Sequence, residues 1–266
     1  VMGKVSTFQR VSRQELPMQA ESLYEKSHAV VIGIDNYEQW PSLEFAVADA
    51  LAVKEALERT GFAQITLLLD KEATQRRILT ELFESLPQKV GRNDRVFFYF
   101  AGHGQTEELS GSGHRGYIIP VDSGHNDYPA TAISMGQIRS LSRNVPAKHI
   151  LYVMDSCYSG LGFNRSTGIS PRISNYLLKI SGMRAVQIIT AGGKGEQVQE
   201  KAGHGLFTSF FLQALTGEAD SNKDNVVTGT ELGTYLRPTV SNASNHTQTP
   251  LFGRLEGGGE FMFFVG

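Results

Sequence analysis

Cysteine is almost missing from this chain: Cys157 stands alone among 266 residues. No internal disulfide can form, and a lone thiol fits a reducing compartment, so the expected location is cytoplasmic. No run of eighteen apolar residues exists, so no segment is expected to span a bilayer. No secretory signal pattern is visible either. Charge of one sign is lacking too. The 25 Lys and Arg against 27 Asp and Glu leave a formal charge of −2, which gives no reason to expect nucleic acid or an anionic membrane as a partner. Seven histidines occur, none in HExxH or a similar ligand spacing, so no catalytic zinc is expected. What remains is an ordinary globular composition, 40% apolar and 20% charged, long enough for one large domain with a sizeable core.

Two short patterns carry no function. "MGKVST" at residues 2–7 has the form of a myristoylation signal. Val1 precedes its methionine, so the start is expected to be a fragment boundary or an added scar. "GSGHRG" at 111–116 reads as GxGxxG, but it precedes the strand-like "GYIIP" and opens no helix, so the dinucleotide-binding geometry is missing. Three Asn-x-Ser/Thr matches, at Asn164, Asn242 and Asn245, mean little without a secretory route.

Strand and helix patterns alternate along the chain. "HAVVIGI" (28–34), "ITLLLD" (65–70), "RVFFYFA" (95–101), "HILYVMD" (149–155) and "RAVQIITA" (184–191) read as buried strands. Helical spacing predicts helices over 46–61, 74–86 with Thr74 as cap, 134–142, 205–217 and 230–240. A closing "EFMFFV" (260–265) reads as an edge strand. The alternation predicts an α/β fold: a mostly parallel central sheet of about six strands with helices on both faces. Residues 1–27 lack periodicity and are set apart as an N-terminal extension. Residues 28–266 form a single domain, with no repeat or break in composition.

The strand "RVFFYFA" runs into Gly102-His103-Gly104, and "HILYVMD" runs into Ser156-Cys157-Tyr158-Ser159-Gly160. Open α/β sheets bind ligands at the carboxyl ends of their strands. Two parallel strands ending in reactive side chains bring both to one edge. There a thiol beside a neutral imidazole can ionise, and nearby backbone N–H groups can receive a developing oxyanion. The blander readings stand beside this one: a loop histidine that solvates a strand end, and a lone cysteine acting as a small buried hydrophobe.

"YFAGHG" followed by "DSCYSG" resembles the caspase-like cysteine peptidases, most closely the metacaspases and their bacterial relatives, the orthocaspases. The resemblance covers roughly residues 28–215. It implies a caspase-like fold, with His103 as general base, Cys157 as nucleophile, and the amides of Gly104 and Cys157 as oxyanion hole. True caspases carry Gln-Ala before the cysteine, whereas this chain has Asp155-Ser156, which points away from them. The resemblance also divides the domain into a large-subunit-like part at about 28–160, a linker at about 161–182 and a small-subunit-like part at about 183–266.

Caspases that cut after aspartate use an arginine after the first strand, and Leu43 stands there in "SLEFAVADA". Metacaspases have Leu-x-Gly-Cys-x-Asn-Asp, whose last position matches Asp49, although Phe45 and Ala46 replace Gly-Cys and Ala101 replaces a serine. Asp155 matches the second pocket acid. Two carboxylates in a confined pocket attract a cationic side chain and repel an anionic one, so cleavage after arginine is expected, with lysine left open. The other reading of Asp49 is a solvated carboxylate in the first turn of a helix. Arg165 and Arg172 follow the nucleophile in the linker, where self-cleavage or a plain flexible segment are both open.

"DSNKDNVVTGTE" (220–231) has the spacing of an EF-hand loop. Asp220, Asn222, Asp224, the Val226 carbonyl and Glu231 fall at ligand positions. A single such loop lacks its usual pair, and an Asx-rich turn capping a helix explains the same residues. The chemistry itself requires no cofactor, and calcium is a further expectation at this loop. The sequence thus points first to a cysteine endopeptidase acting on peptide and protein substrates through an acyl-enzyme, as a monomer or as a domain of a larger regulated protein. The alternative is a catalytically idle caspase-like module used for binding or regulation. A calcium-sensing interaction domain comes last.

Overall fold

The computed structural model describes residues 23–110, 113–156, 164–165, 180–193, 196, 200–201 and 203–265. The first half runs β1 (Ser27–Gly33), α1 (Ala46–Arg59), β2 (Gln64–Leu69), α2 (Gln75–Thr80) and β3 (Arg95–Ala101). A hairpin of β4 (Gly104–Leu109) and β5 (Gly113–Ile118) follows, then β6 (Ile133–Ser134), α3 (Met135–Asn144) and β7 (His149–Asp155). After β8 (Asn164–Arg165) come β9 (Ala185–Thr190), β10 (Glu200–Lys201), β11 (His204–Gly205) and α4 (Leu206–Gln213). The chain closes with β12 (Val226–Thr228), α5 (Gly229–Ala243), β13 (Leu251–Glu256) and β14 (Met262–Phe264).

The main sheet has the order β2-β1-β3-β7-β9-β13-β8. Its first five strands are parallel, and β13 runs antiparallel to both neighbours. Six are strands of working length, as expected, and β8 adds two residues at the edge. All seven residues of β1, β3 and β7 are buried, because helices cover both faces. Phe97, Tyr99, Leu151 and Val153 pack with α1, α4 and α5 on one face. Phe98, Phe100, Ile150 and Tyr152 pack with α2 and α3 on the other. Alternate residues of one strand therefore feed two cores, which is why these segments read as unbroken apolar runs.

The amino ends of the strands are closed by polar groups that hold the frame. Asp94 accepts from the Gly91 amide at 2.7 Å and the Lys26 amide at 3.0 Å, and pairs with His28 Nε2 at 3.0 Å. Arg95 is fully buried and donates to Ser27 Oγ and the Thr60 carbonyl at 2.8 and 2.7 Å, with the Phe62 ring centroid 4.1 Å from its guanidinium carbon. His28, Asp94 and Arg95 thus find their partners within the fold.

One expectation is overturned. Residues 260–265 do not form an edge strand of the main sheet. Met262–Phe264 pairs with β12 in a separate ribbon, while Phe261 and Phe263 are buried among Phe62, Phe97 and Phe211. The last long strand of the main sheet is β13, between β9 and the two-residue β8, and its partly buried residues gave no clean alternation.

Candidate functional site

At the carboxyl ends, β3 and β7 stop in register: Ala101 is opposite Asp155, and the Gly102 amide donates to the Asp155 carbonyl at 3.4 Å. His103 lies two residues beyond the last paired position of β3. Cys157 lies two residues beyond that of β7, outside the described residues.

His103 is held by the loop after β1. Its amide donates to Tyr37 Oη at 2.8 Å, and its Nε2 lies 2.8 Å from the Pro41 carbonyl oxygen. A carbonyl only accepts, so Nε2 carries the proton and Nδ1 keeps its lone pair. The Tyr37 and Trp40 rings sit 4.8 and 5.6 Å from the imidazole. Burial holds the histidine below its ordinary pKa, with the Pro41 contact opposing and His125 adding to the shift, so the ring is neutral near pH 7. Gly102 is required by the same packing, since a Cβ there would come within 2.5 Å of Tyr37 Oη. The loop is shaped by Asp35. Its carboxylate accepts from the Ala46 and Val47 amides at 2.8 and 3.3 Å, starting α1 where Phe45 cannot cap.

Gly104 opens β4 opposite Ile118. The Ile119 amide donates to the His103 carbonyl at 3.0 Å, which makes Gly104 and Ile118 a non-hydrogen-bonded pair and turns the Gly104 N–H away from β5.

The two expected pocket acids are brought together. Asp49 on α1 is 3% exposed and Asp155 is 5% exposed, so Asp49 is no solvated first-turn carboxylate. Both face Gly205, where a Cβ would lie 2.8 Å from Asp49 Oδ2 and 3.1 Å from Asp155 Oδ2. Asp49 Oδ1 is 2.6 Å from His204 Nδ1, and its Oδ2 accepts from the Gly205 amide at 2.9 Å. Asp155 Oδ2 accepts from Thr208 Oγ1 at 2.5 Å, while its buried Oδ1 has no partner among the described residues. Burial, followed by the neighbouring Asp49 charge, pushes Asp155 up to about 7. Burial pushes Asp49 up to about 6 against its two hydrogen bonds. Among the described residues the one basic group at this pair is His204, which meets Asp49 and not Asp155.

The remaining sequence-predicted residues fare differently. Arg165 lies in β8, its backbone paired with Gly253, and Arg172 lies outside the described residues. In the loop 220–231, Asp220 carboxylate oxygens accept the Asp224 and Asn225 amides, Asn222 accepts the Asp224 amide, and Asp224 accepts the Val226 amide. Val226 begins β12. Glu231 accepts from the Thr228 amide and hydroxyl and from Ser221 Oγ, completing a capping box on α5. Among the described residues no three His, Cys, Asp or Glu side chains are grouped to hold a metal ion. Sequence reasoning missed Tyr37, Trp40, Pro41, Tyr99, His204 and Thr208. Only "HGLFT" after a short loop carried any hint, a His-Gly entering an apolar helix.

The profile of the caspase domain of C14 peptidases matches residues 26–256. The chain belongs to the caspase domain family. It is 32% identical over 151 residues to Metacaspase-1 of Cryptococcus neoformans var. neoformans serotype D (strain B-3501A), covering 51% of this chain and 33% of that protein. It is 28% identical over 219 residues to Metacaspase-1 of Botryotinia fuckeliana (strain B05.10), covering 74% and 50%. The chain thus spans between a third and a half of these fungal relatives. In fold it is similar to the crystal structure of protein GSU0716 from Geobacter sulfurreducens, with a TM-score of 0.61, 16% identity, and coverage of 86% of this chain and 93% of that one. Among the described residues no helix is long and apolar enough to cross a membrane.

Proposed function

We propose that this chain is a cysteine endopeptidase that cleaves peptide bonds after arginine or lysine. The observation that carries the specificity is the pair of buried carboxylates, Asp49 and Asp155, facing one point, with Oδ1 of Asp155 unpartnered among the described residues. Burying two acids side by side is costly, and a basic substrate side chain supplies a compensating charge at Asp155. Family membership supports the peptidase chemistry.

The chemistry follows from the His103 tautomer. Nδ1 accepts the Cys157 thiol proton, and the thiolate attacks the scissile carbonyl carbon. The amides of Gly104 and Cys157 stabilise the oxyanion. The imidazolium then protonates the leaving amine as the C–N bond breaks, leaving a thioester. Water, deprotonated by His103, attacks that thioester and returns the free thiol with a carboxylate product. Pro41 keeps Nε2–H fixed throughout, so only one nitrogen shuttles the proton. Self-cleavage after Arg165 or Arg172 follows from the same specificity.

A series of peptides varying only the residue before the scissile bond tests this reading, with Cys157→Ala as the inactive reference. Cleavage confined to arginine and lysine, together with loss of all cleavage and linker nicking in Cys157→Ala, supports it. Cleavage after aspartate, or cleavage that survives the substitution, overturns it. The idle-module reading predicts no cleavage of any peptide by the wild type.

A further inference from the structure

One five-residue stretch, His204 to Thr208, supplies donors to both pocket acids. His204 Nδ1 meets Asp49 Oδ1 at 2.6 Å, and the Gly205 amide donates to Asp49 Oδ2 at 2.9 Å. Thr208 Oγ1 donates to Asp155 Oδ2 at 2.5 Å. A threonine hydroxyl has one proton, so the Tyr99 hydroxyl, 2.6 Å behind it, must donate to Thr208. Thr208 and Tyr99 are fully buried, so this relay cannot be replaced by bulk water. Gly205 admits no side chain because both acids already crowd its Cα.

We propose that His204, Gly205 and Thr208 form a clamp that positions the two acids and leaves Asp155 Oδ1 as the docking point for a basic side chain. The inference rests on the reading of Asp49 and Asp155 as the specificity pocket. Fork-like pairing with a guanidinium needs both oxygens of one carboxylate. Both oxygens of Asp49 and one of Asp155 are engaged, and Asp155 Oδ1 has no partner among the described residues, so a basic side chain meets Asp155 first. Lysine needs only that one oxygen, whereas a forked grip by arginine also has to share the second lone pair of Oδ2 with Thr208. Thr208 is the more informative member. Its hydroxyl stabilises the ionised Asp155, and without it the acid retains its proton to higher pH. The ionisable groups facing this site are Asp35, Asp49 on α1, Tyr99 on β3, Asp155 on β7 and His204 on β11.

The test compares Thr208→Val, Thr208→Ser and His204→Ala with the wild type on matched peptides carrying arginine, lysine or norleucine before the scissile bond. For Thr208→Val the expected result is a KM for arginine and lysine peptides raised at least about tenfold at pH 7. Its kcat should change little, and its KM should recover at higher pH. Thr208→Ser should restore the wild-type KM. His204→Ala should change the arginine-to-lysine ratio of kcat/KM. Norleucine peptides should be indifferent to all three variants, and thermal unfolding should confirm that each is folded. If the wild type shows no preference for basic residues, the pocket reading itself fails. If that preference holds but Thr208→Val leaves both KM and its pH dependence unchanged, only the clamp is overturned. An equal loss of kcat on every peptide, unrescued by serine, overturns it as well.

Discussion

The Nε2 of His103 lies 2.8 Å from the carbonyl oxygen of Pro41, a backbone group 62 residues earlier in the chain. Among the described residues no third side chain is hydrogen-bonded to this imidazole. A carbonyl on the loop after β1 is, and Tyr37 and Trp40 wall the ring in from the same loop. The geometry of the proposed base therefore depends on the loop's packing. Tyr37→Phe removes the acceptor of the His103 amide and leaves a partly buried donor, at a cost of about 1–3 kcal/mol. The expected outcome is a lower kcat with an unchanged arginine-to-lysine ratio, since the pocket acids lie on other elements. Steady-state kinetics on the two peptides checks it, and a changed ratio would contradict it.

The raised acids make a signed prediction about pH. Asp155, at about 7, binds its proton more tightly folded than unfolded, where the ordinary value is 3.8. The native protein therefore holds more protons between these values, and stability from this site falls as pH rises through about 7. Asp155→Asn removes the buried charge and keeps an acceptor for Thr208. Its unfolding midpoint should exceed that of the wild type at about pH 8, and the gain should vanish at about pH 3, where the wild-type carboxyl is protonated in both states. Thermal melts at the two pH values decide. The same variant should lose cleavage after basic residues.

Trp40 is the only tryptophan in the chain, and it lies between His103 and His125, with centroids 5.6 and 4.5 Å away. A protonated imidazole quenches indole emission, so the intrinsic fluorescence reports on the proposed base. In His125→Asn, where His103 is the imidazole kept in ring contact with Trp40, acidification should quench the emission with a midpoint below 6.5, the ordinary histidine value from which burial lowers His103. Adding His103→Asn should abolish that quenching. A midpoint above 6.5 would contradict the buried neutral imidazole.

Phe97 sits where the ring cluster of Phe62, Phe211, Phe261 and Phe263 meets β3. Phe97→Ala should cost about 3–5 kcal/mol, lowering the unfolding midpoint by roughly 10 °C. A loss below about 1 kcal/mol in denaturant melts would mean that the cluster collapses around the gap.

The order of strands and helices was legible in the chain because burial on both faces leaves unbroken apolar runs, and a helix on one face leaves a stripe. His103 was legible for a related reason: a strand that ends in Gly-His-Gly announces a polar group at an edge where the backbone must pass closely. The antiparallel strand β13 was not. Leu251–Glu256 is only partly buried along most of its length, and its mixed residues carry no period, while Met262–Phe264 looked more like a sheet edge and instead closes the phenylalanine cluster. What the amino-acid order determined by itself was thus local: periodicity, caps, and which residue types stand at strand ends. Only the tertiary structure decided that Pro41 offers its carbonyl to His103, that Asp49 meets Asp155 over Gly205, and that Thr208 and His204 brace them. Those contacts join groups 53 to 156 residues apart, or depend on a backbone atom that every residue possesses, so no spacing rule can announce them.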